Sequence, residues 1–259
     1  MKKIQFWVLT LLLAITSAFS HAQTADEIIN NYFENTGGLD QWKSIKAIKF
    51  EGNINIQGME IPIEMIQTTD GLTMAKANFQ GQNFYQNVYD GETLWSTNQM
   101  TMQAEKSDTE STENFKNDLN DFPDAFIDYK AKGYTVELIG TETIEGTETY
   151  KIKLVKEPIM VDGKEEQDIS FHYFDKENFV PIVVEKEIKS GPAAGMVGQT
   201  TLSDYQEVDG LYFPYSIMEG VKGQPGGQQI TITKVTINME IDNAIFKFPV
   251  TEGASEEKK

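Results

Sequence analysis

Two hydrophobic periods divide the chain. Between Thr24 and Gly38 the apolar residues Ile28, Ile29, Tyr32 and Phe33 recur at the spacing of a single helical stripe. Thr24 followed by Glu27 predicts a capping box. Gly37-Gly38 predicts the stop, since glycine accepts the left-handed backbone found just past helix ends. A short helical turn over Leu39 to Ser44 is expected to bury Trp42. From Ile48 onward the period is two. Ile48, Phe50, Ile54 and Ile56 alternate with Lys49, Glu51, Asn53 and Asn55, which predicts a strand with one apolar and one polar face. Ile61, Ile63 and Met65 continue the alternation after a turn at Gly58, and Pro62 points to an edge or a bulge. Asp70-Gly71 and Asp90-Gly91 read as tight turns, with Leu72, Met74, Phe84 and Val88 between them and Leu94-Trp95 beyond.

The stretch Gln99 to Lys132 breaks the pattern. A short strand is expected through Met100 and Met102, then one or two helices between Glu113 and Tyr129 that are interrupted at Pro123 and bury Phe115, Leu119, Phe122, Phe126, Ile127 and Tyr129. Strands resume at Tyr134 and continue to Ile241, with turns at Glu145-Gly146, Asp162-Gly163, Asp175 to Asn178 and Asp209-Gly210. Strands of about ten residues between regular turns predict a mainly β fold with helices. The expected architecture is an incomplete antiparallel β-barrel of about 10–11 strands, covered by a few α-helices. A one-sided sheet that long curls, and its apolar side needs a cover that two or three helices only partly supply. The remaining apolar hollow is the candidate binding site. Its expected lining is Ile54, Ile56, Ile63, Met65, Met74, Phe84, Val88, Trp95, Met100 and Met102 from the strands and Phe126 from the helices. Methionine suits a surface that accepts varied apolar shapes.

The first residues change the picture of where this fold works. Lys2 and Lys3 precede the apolar stretch Phe6 to Ile15, and Ser20-His21-Ala22 places small residues where a signal peptidase reads. Residues 1–22 are therefore expected to be a signal peptide cleaved near Ala22, 23–250 the half-barrel domain, and 251–259 a disordered charged tail. The apolar stretch is short of the roughly 20 residues a spanning helix needs, so the mature chain is expected in the periplasm and not across a membrane.

Composition then removes several classes of function. With 22 Lys+Arg against 40 Asp+Glu the formal charge is −18, which argues against a nucleic-acid partner. The absence of cysteine excludes disulfides, thiolate metal sites and cysteine nucleophiles. There is no Gly-x-Ser-x-Gly elbow and no phosphate-binding loop; Gly223 to Gly227 lacks the Lys-Ser/Thr ending and reads as a hairpin tip. His172 would be the only histidine after cleavage, and alternation within Phe171-His172-Tyr173 puts it on an exposed face. Asp118, Asp121 and Asp124 recur at three-residue spacing, which suits a solvated helix face better than a Ca²⁺ site because no EF-hand loop exists. Tyr85, Tyr89, Tyr205, Tyr212 and Tyr215 read as edge and outer-face residues rather than a carbohydrate platform. No catalytic residue, cofactor or metal is expected.

The order of features resembles the outer-membrane lipoprotein-sorting (LolA-like) family in its Bacteroidetes form. The matching pieces are TADEIINNYFENTGG with QWKSIKAIKFEG, YDGETLW, VELIGTETIEG with TYKIKL, FHYFDKENFVPIVVE, DYQEVDGLYFPYSIME and ITITKVTINMEIDNAIFKFP. The resemblance spans nearly all of the chain after the leader and rests on turn and strand patterns. It implies an incomplete barrel lidded by helices that carries lipoprotein acyl chains, or other lipid, across the periplasm, with an envelope protein as a further partner. In the best-studied carriers an arginine helps hold the lid; this chain has no arginine, so that residue has no counterpart here. The expected function is thus a non-enzymatic carrier or chaperone. The alternatives are an envelope interaction or structural module whose interior is filled by its own side chains, and an acid-dependent hydrolase using paired carboxylates.

Overall fold

The computed structural model describes residues 23–249; the expected signal peptide at 1–22 and charged tail at 251–259 lie outside the described residues. Helix α1 (Ala25–Asn35) begins as its sequence requires. The Thr24 amide donates to Glu27 Oε2 (2.8 Å), and the Glu27 amide donates to Thr24 Oγ1 (3.2 Å), the reciprocal capping box. Gly37 follows at φ 117°, and a Cβ there would overlap the Gly210 carbonyl oxygen, so both backbone angle and space demand glycine. Helix α2 (Leu39–Lys43) is one turn long and buries Trp42. Helix α3 (Thr109–Leu119) is capped by Asp108, whose carboxylate accepts from the Ser111 amide (2.7 Å).

Alternating polarity elsewhere produces strands. These are β1 (Ala47–Ile56), β2 (Met59–Thr68), β3 (Thr73–Phe79), β4 (Gln82–Tyr89), β5 (Leu94–Thr97) and β6 (Ala104–Lys106) before α3. After it come β7 (Thr135–Ile144), β8 (Thr147–Val155), β9 (Ile159–Val161), β10 (Lys164–Glu166), β11 (Ile169–Asp175), β12 (Pro181–Glu187), β13 (Val197–Val208), β14 (Leu211–Val221) and β15 (Gln228–Ile237). Thirteen of them form one antiparallel sheet in the order β6-β5-β4-β3-β2-β1-β15-β14-β13-β12-β11-β8-β7, and β9 with β10 make a separate hairpin. β6 and β7 are its two edges, so the sheet does not close; the expected incomplete barrel is present, with more strands than the pattern suggested.

Cross-strand partners share a face, and the register defines two. Phe50↔Met65, Ile54↔Ile61 and Ile63↔Ala77 point to the side covered by α1, α2 and the segment after α3. Glu51↔Glu64↔Lys76 point to the other side, where Lys76 Nζ meets Glu64 Oε1 at 2.9 Å. That second face is also covered in part. The chain after β15 crosses it, and a 3-10 turn (Asn243–Phe246) plants Phe246 against Ile66, Met74, Val88 and Trp95.

Two expectations fail here and one is narrowed. Met100 and Met102 lie in the turn before β6, not in a strand. Of the one or two helices expected near Pro123, one forms; the segment after α3 holds turns only, because Pro123 and Gly133 interrupt a stretch with few strong helix formers. Pro62 sits in β2, an interior strand, at the level where pairing with β3 has ended at Ile63↔Ala77.

Candidate functional site

The helix-covered face is solid in one part and open in another. Beneath α1 and α2 aromatic rings fill the space: Tyr32 lies 5.7 Å from Phe174, Trp42 5.3 Å from Phe213 and Phe126 5.6 Å from Phe174, centroid to centroid. Ile28, Ile29, Phe33, Ile152 and Leu154 complete this core. Towards β1–β4 the floor changes. Ile54, Ile56, Ile63, Met65 and Phe84 are only half-buried there, flanked by the small Ala75 and Ala77. Helix α3 crosses the lower end of this floor. Phe115 stands 5.8 Å from the Tyr89 ring, and a void of about 110 Å³ remains between Leu119, Phe122 and Leu72.

No side chain of helix α3 is fully buried; Phe115 and Leu119 are half-buried. It is fastened by polar contacts to the β9–β10 hairpin: Glu110 accepts from the Asp162 and Gly163 amides (3.0 and 2.8 Å), and Asn114 exchanges two hydrogen bonds with the Met160 backbone (2.7 and 2.8 Å). Lys156 Nζ ties the end of the helix through Asp118 (2.8 Å) and the following turn through Asp121 (2.6 Å). The exposed hairpin hydrogen bonds exchange for water at small net cost, which leaves Lys156 as the main tie of α3 and makes α3 the element of this face that can lift most readily.

A second opening lies beside the end of α1. It is a cleft of about 690 Å³ with Val180, Ile182, Leu202 and Tyr205 on its walls and Asn35, Asp175 and Asn178 at its polar margin. The volume is within the range of small-ligand sites. Local pattern did not reveal this cleft, because its walls come from distant segments and Asp204, at φ 55°, interrupts the alternation of β13.

The predicted lining residues separate into groups. Ile54, Ile56, Ile63, Met65 and Phe84 share the helix-covered face, and Phe126 is buried in the aromatic core over it. Met74, Val88 and Trp95 do not line a hollow. Val88↔Trp95 and Ile66↔Met74 pair on the opposite face, under the chain that follows β15. The reversal has a local cause: the register of β3 and β4 shifts between Thr73 and Ala75, and Asn87 at φ 50° puts Phe84 and Val88 on opposite sides despite their even spacing. Met100 (92% exposed) and Met102 project into solvent.

No family model matches the chain, and no curated protein matches it in sequence. Solved structures do. An outer membrane lipoprotein-sorting protein domain, so described for Vibrio parahaemolyticus, superposes with TM-score 0.51 at 10% identity over 85% of this chain and 94% of its own. A DUF1329 family protein from Desulfovibrio piger gives 0.51 at 12%, over 85% and 97%. A LolA superfamily protein from Nitrosomonas europaea gives 0.51 at 13%, over 87% and 98%. The fold is LolA-like. At these identities the likeness is one of architecture, and the residues that line this LolA-like sheet are its own.

His172 corrects an expectation. It faces inward from β11, paired with Ile152 and lying 4.8 Å from the Phe126 ring, with Nε2 at 2.9 Å from Ser170 Oγ. Phe171 and Tyr173 take the outer face, where Lys151 covers both rings. Burial, assisted by the Lys156 charge, pushes the imidazole down to about 3. The unfolded chain therefore binds this proton from about pH 6.5 downward while the folded chain does not, and stability falls as pH drops through that window. We expect His172→Leu to flatten this loss between pH 6.5 and 4.5 in urea titrations, and the His172 ring to stay neutral by NMR at pH 5.

The three spaced aspartates serve separate purposes. Asp118 and Asp121 bind Lys156, whereas Asp124 is half-buried, accepts from the Tyr32 hydroxyl (2.9 Å) and is pushed up by desolvation. Among the described residues no three His, Asp or Glu side chains are placed to hold a metal ion.

Proposed function

We propose that this chain is an exported, non-enzymatic carrier that holds an acyl chain of a lipid or lipoprotein against the floor of β1–β4, beneath α3. The observation that supports it most is a half-exposed apolar floor (Ile54, Ile56, Ile63, Met65, Phe84) on strands whose other end meets α3, a helix with no fully buried side chain. A guest chain completes the burial that α3 leaves undone. Each buried CH₂ contributes about 0.8 kcal/mol, so about sixteen carbons gain on the order of 10 kcal/mol gross, enough to hold the chain after ordering costs. The LolA-like fold and the leader-like start agree with work in the periplasm.

Native mass spectrometry and lipid extraction of protein purified from cells, with a fluorescent fatty acid titration, test the proposal. Co-purified lipid and saturable uptake are expected. Ile63→Asp with Phe84→Asp should weaken uptake at least tenfold while the far-UV spectrum stays unchanged. A chain that is always empty and takes up no probe would sink the proposal. The solid aromatic core under α1 favours a second reading, an envelope interaction module with a filled interior; it predicts that empty state together with a protein partner on the outer strands.

A further inference from the structure

The two rims of the sheet differ in chemistry. Because the strands alternate in direction, the connections β1–β2, β3–β4, β5–β6, β12–β13 and β14–β15 all emerge at one rim. Their tips read Gln57-Gly58, Gln80-Gly81, Asn98 to Gln103, Ile188 to Met196 and Lys222 to Gly227, with no carboxylate among them. The opposite rim carries Asp70, Asp90, Glu92, Glu145, Glu177 and Asp209 in its turns. Turn geometry does not impose the difference. Gln57, Gln80, Glu145 and Asp209 all occupy the left-handed position before a left-handed glycine, at φ 53°, 53°, 49° and 50°. Asn and Asp suit that position best, so Gln57 and Gln80 avoid charge where an acid would serve the turn at least as well.

The five carboxylate-free tips are also where methionine is exposed. Met59 (48%), Met100, Met102, Met196 (42%) and Met218 (40%) stand at or next to these tips, with Val197 beside them. Two of the loops touch: the Lys222 amide donates to the Val197 carbonyl at 2.8 Å, and Gln224 Nε2 meets Met196 Sδ at 3.4 Å. The two lysines of the rim are neutralised at home, Lys189 by Glu187 (2.8 Å) and Lys222 by Glu185 (2.7 Å). The nearest exposed carboxylates, Glu60, Glu105, Glu187 and Glu219, lie on strands; Glu60 and Glu105 accept from Asn55 and Asn98, and Glu187 pairs with Lys189. The sixth connection at this rim, the acidic β9–β10 hairpin, is fastened to α3.

We propose that this rim docks on the surface of a zwitterionic phospholipid bilayer, methionines inserted and acidic rim facing away. Charge separates this occupant from others. In a chain of formal charge −18, five tips without a carboxylate are the approach that presses least like charge on headgroup phosphates. Screening at physiological salt confines the remaining acid to about 8 Å. A protein partner is the poorer fit: its anchors favour Trp, Tyr and Arg, and these five tips contain none. Methionine side chains on several tips suit a fluid interface, which requires no matching shape. The inference stands apart from the carrier proposal, since it concerns empty vesicles and not cargo.

The experiment is flotation of the full mature chain with phosphatidylcholine vesicles. Reversible binding is expected. Met59→Ser with Met100→Ser and Met102→Ser should lower the partition coefficient about tenfold, and so should Gln57→Asp with Gln80→Asp, a pair that retains good turn residues. Glu145→Gln with Asp209→Asn, at the other rim, should leave it unchanged. No flotation of the parent chain, equal loss from both rims, or a concentration-dependent dimer by light scattering that the methionine changes abolish would each overturn the proposal. Fatty acid uptake without flotation overturns docking alone; flotation without uptake overturns the carrier reading alone.

Discussion

Phe246→Ala should lower the unfolding free energy by about 3–5 kcal/mol, the usual range for truncating a fully buried phenylalanine. Phe246 is 0% exposed and lies against Ile66, Met74, Val88 and Trp95 on the sheet face away from the helices. Its carbonyl accepts from Trp95 Nε1 at 2.9 Å, and Phe248 meets the same indole edge-on at 6.0 Å. These contacts clamp the chain after β15 across β2 to β5. Losing the ring leaves a void among side chains that already have fixed positions, and the sheet cannot collapse to fill it. Urea unfolding followed by tryptophan fluorescence measures the change. The neighbouring Ile245→Ser, at a residue 40% exposed, should shift stability by no more than about 0.5 kcal/mol. Equal effects from the two would show that this segment is not a structural clamp.

Lys156→Met should cost about 3 kcal/mol, because it leaves buried carboxylate charge without its counter-ion. Lys156 Nζ lies 2.8 Å from Asp118, 2.6 Å from Asp121 and 3.4 Å from Asp168, whose side chain is 2% exposed. Removing one partner of a buried ion pair strands the other, at roughly 3–5 kcal/mol. Asp168 keeps Lys186 at 2.7 Å, which places the expected loss at the lower end. Burial opposes the ammonium, but Asp118 and Asp121 outweigh it and hold the proton well above the ordinary lysine range. The folded value is thus raised. While its carboxylate partners are ionised, the contribution is present below the unfolded lysine value of about 10.4 and is lost as pH rises through the raised folded value. Adding Asp121→Asn to Lys156→Met should recover part of the loss, and a double-mutant cycle reads the coupling. Additive losses would rule out the buried network as the cause. The same change releases the end of α3, so uptake of a fluorescent fatty acid should become faster even as stability falls.

Elements were more legible in the chain than faces. The α1 stripe, its Thr24–Glu27 box and the buried Trp42 follow from short-range spacing, as do most turns, because the glycine of a tight hairpin has few substitutes. The predicted floor residues Ile54, Ile56, Ile63 and Met65 share one face because β1 and β2 alternate without interruption. Elsewhere alternation misled. Along β3 the large apolar residue Met74 faces outward and Ala75 and Ala77 face inward, so size points to the wrong side. In β11 both faces are apolar, since Phe171 and Tyr173 are sheltered by Lys151 on one side and His172 and Phe174 by the aromatic core on the other. A period of two cannot tell such faces apart.

By itself the sequence determined a long antiparallel sheet with one opening helix, because period-two polarity and left-handed turn residues act over a few neighbours. It also determined which turns bear acid, and so the polarity of the two rims once strand order is known. Only the tertiary structure decided which face the helices cover, where bulges invert a strand, and that Phe246 returns to Trp95 across 151 positions of chain. Those outcomes are contests between distant apolar surfaces for the same cover. Burial free energy depends on area and not on order along the chain, so no local pattern records which surface wins.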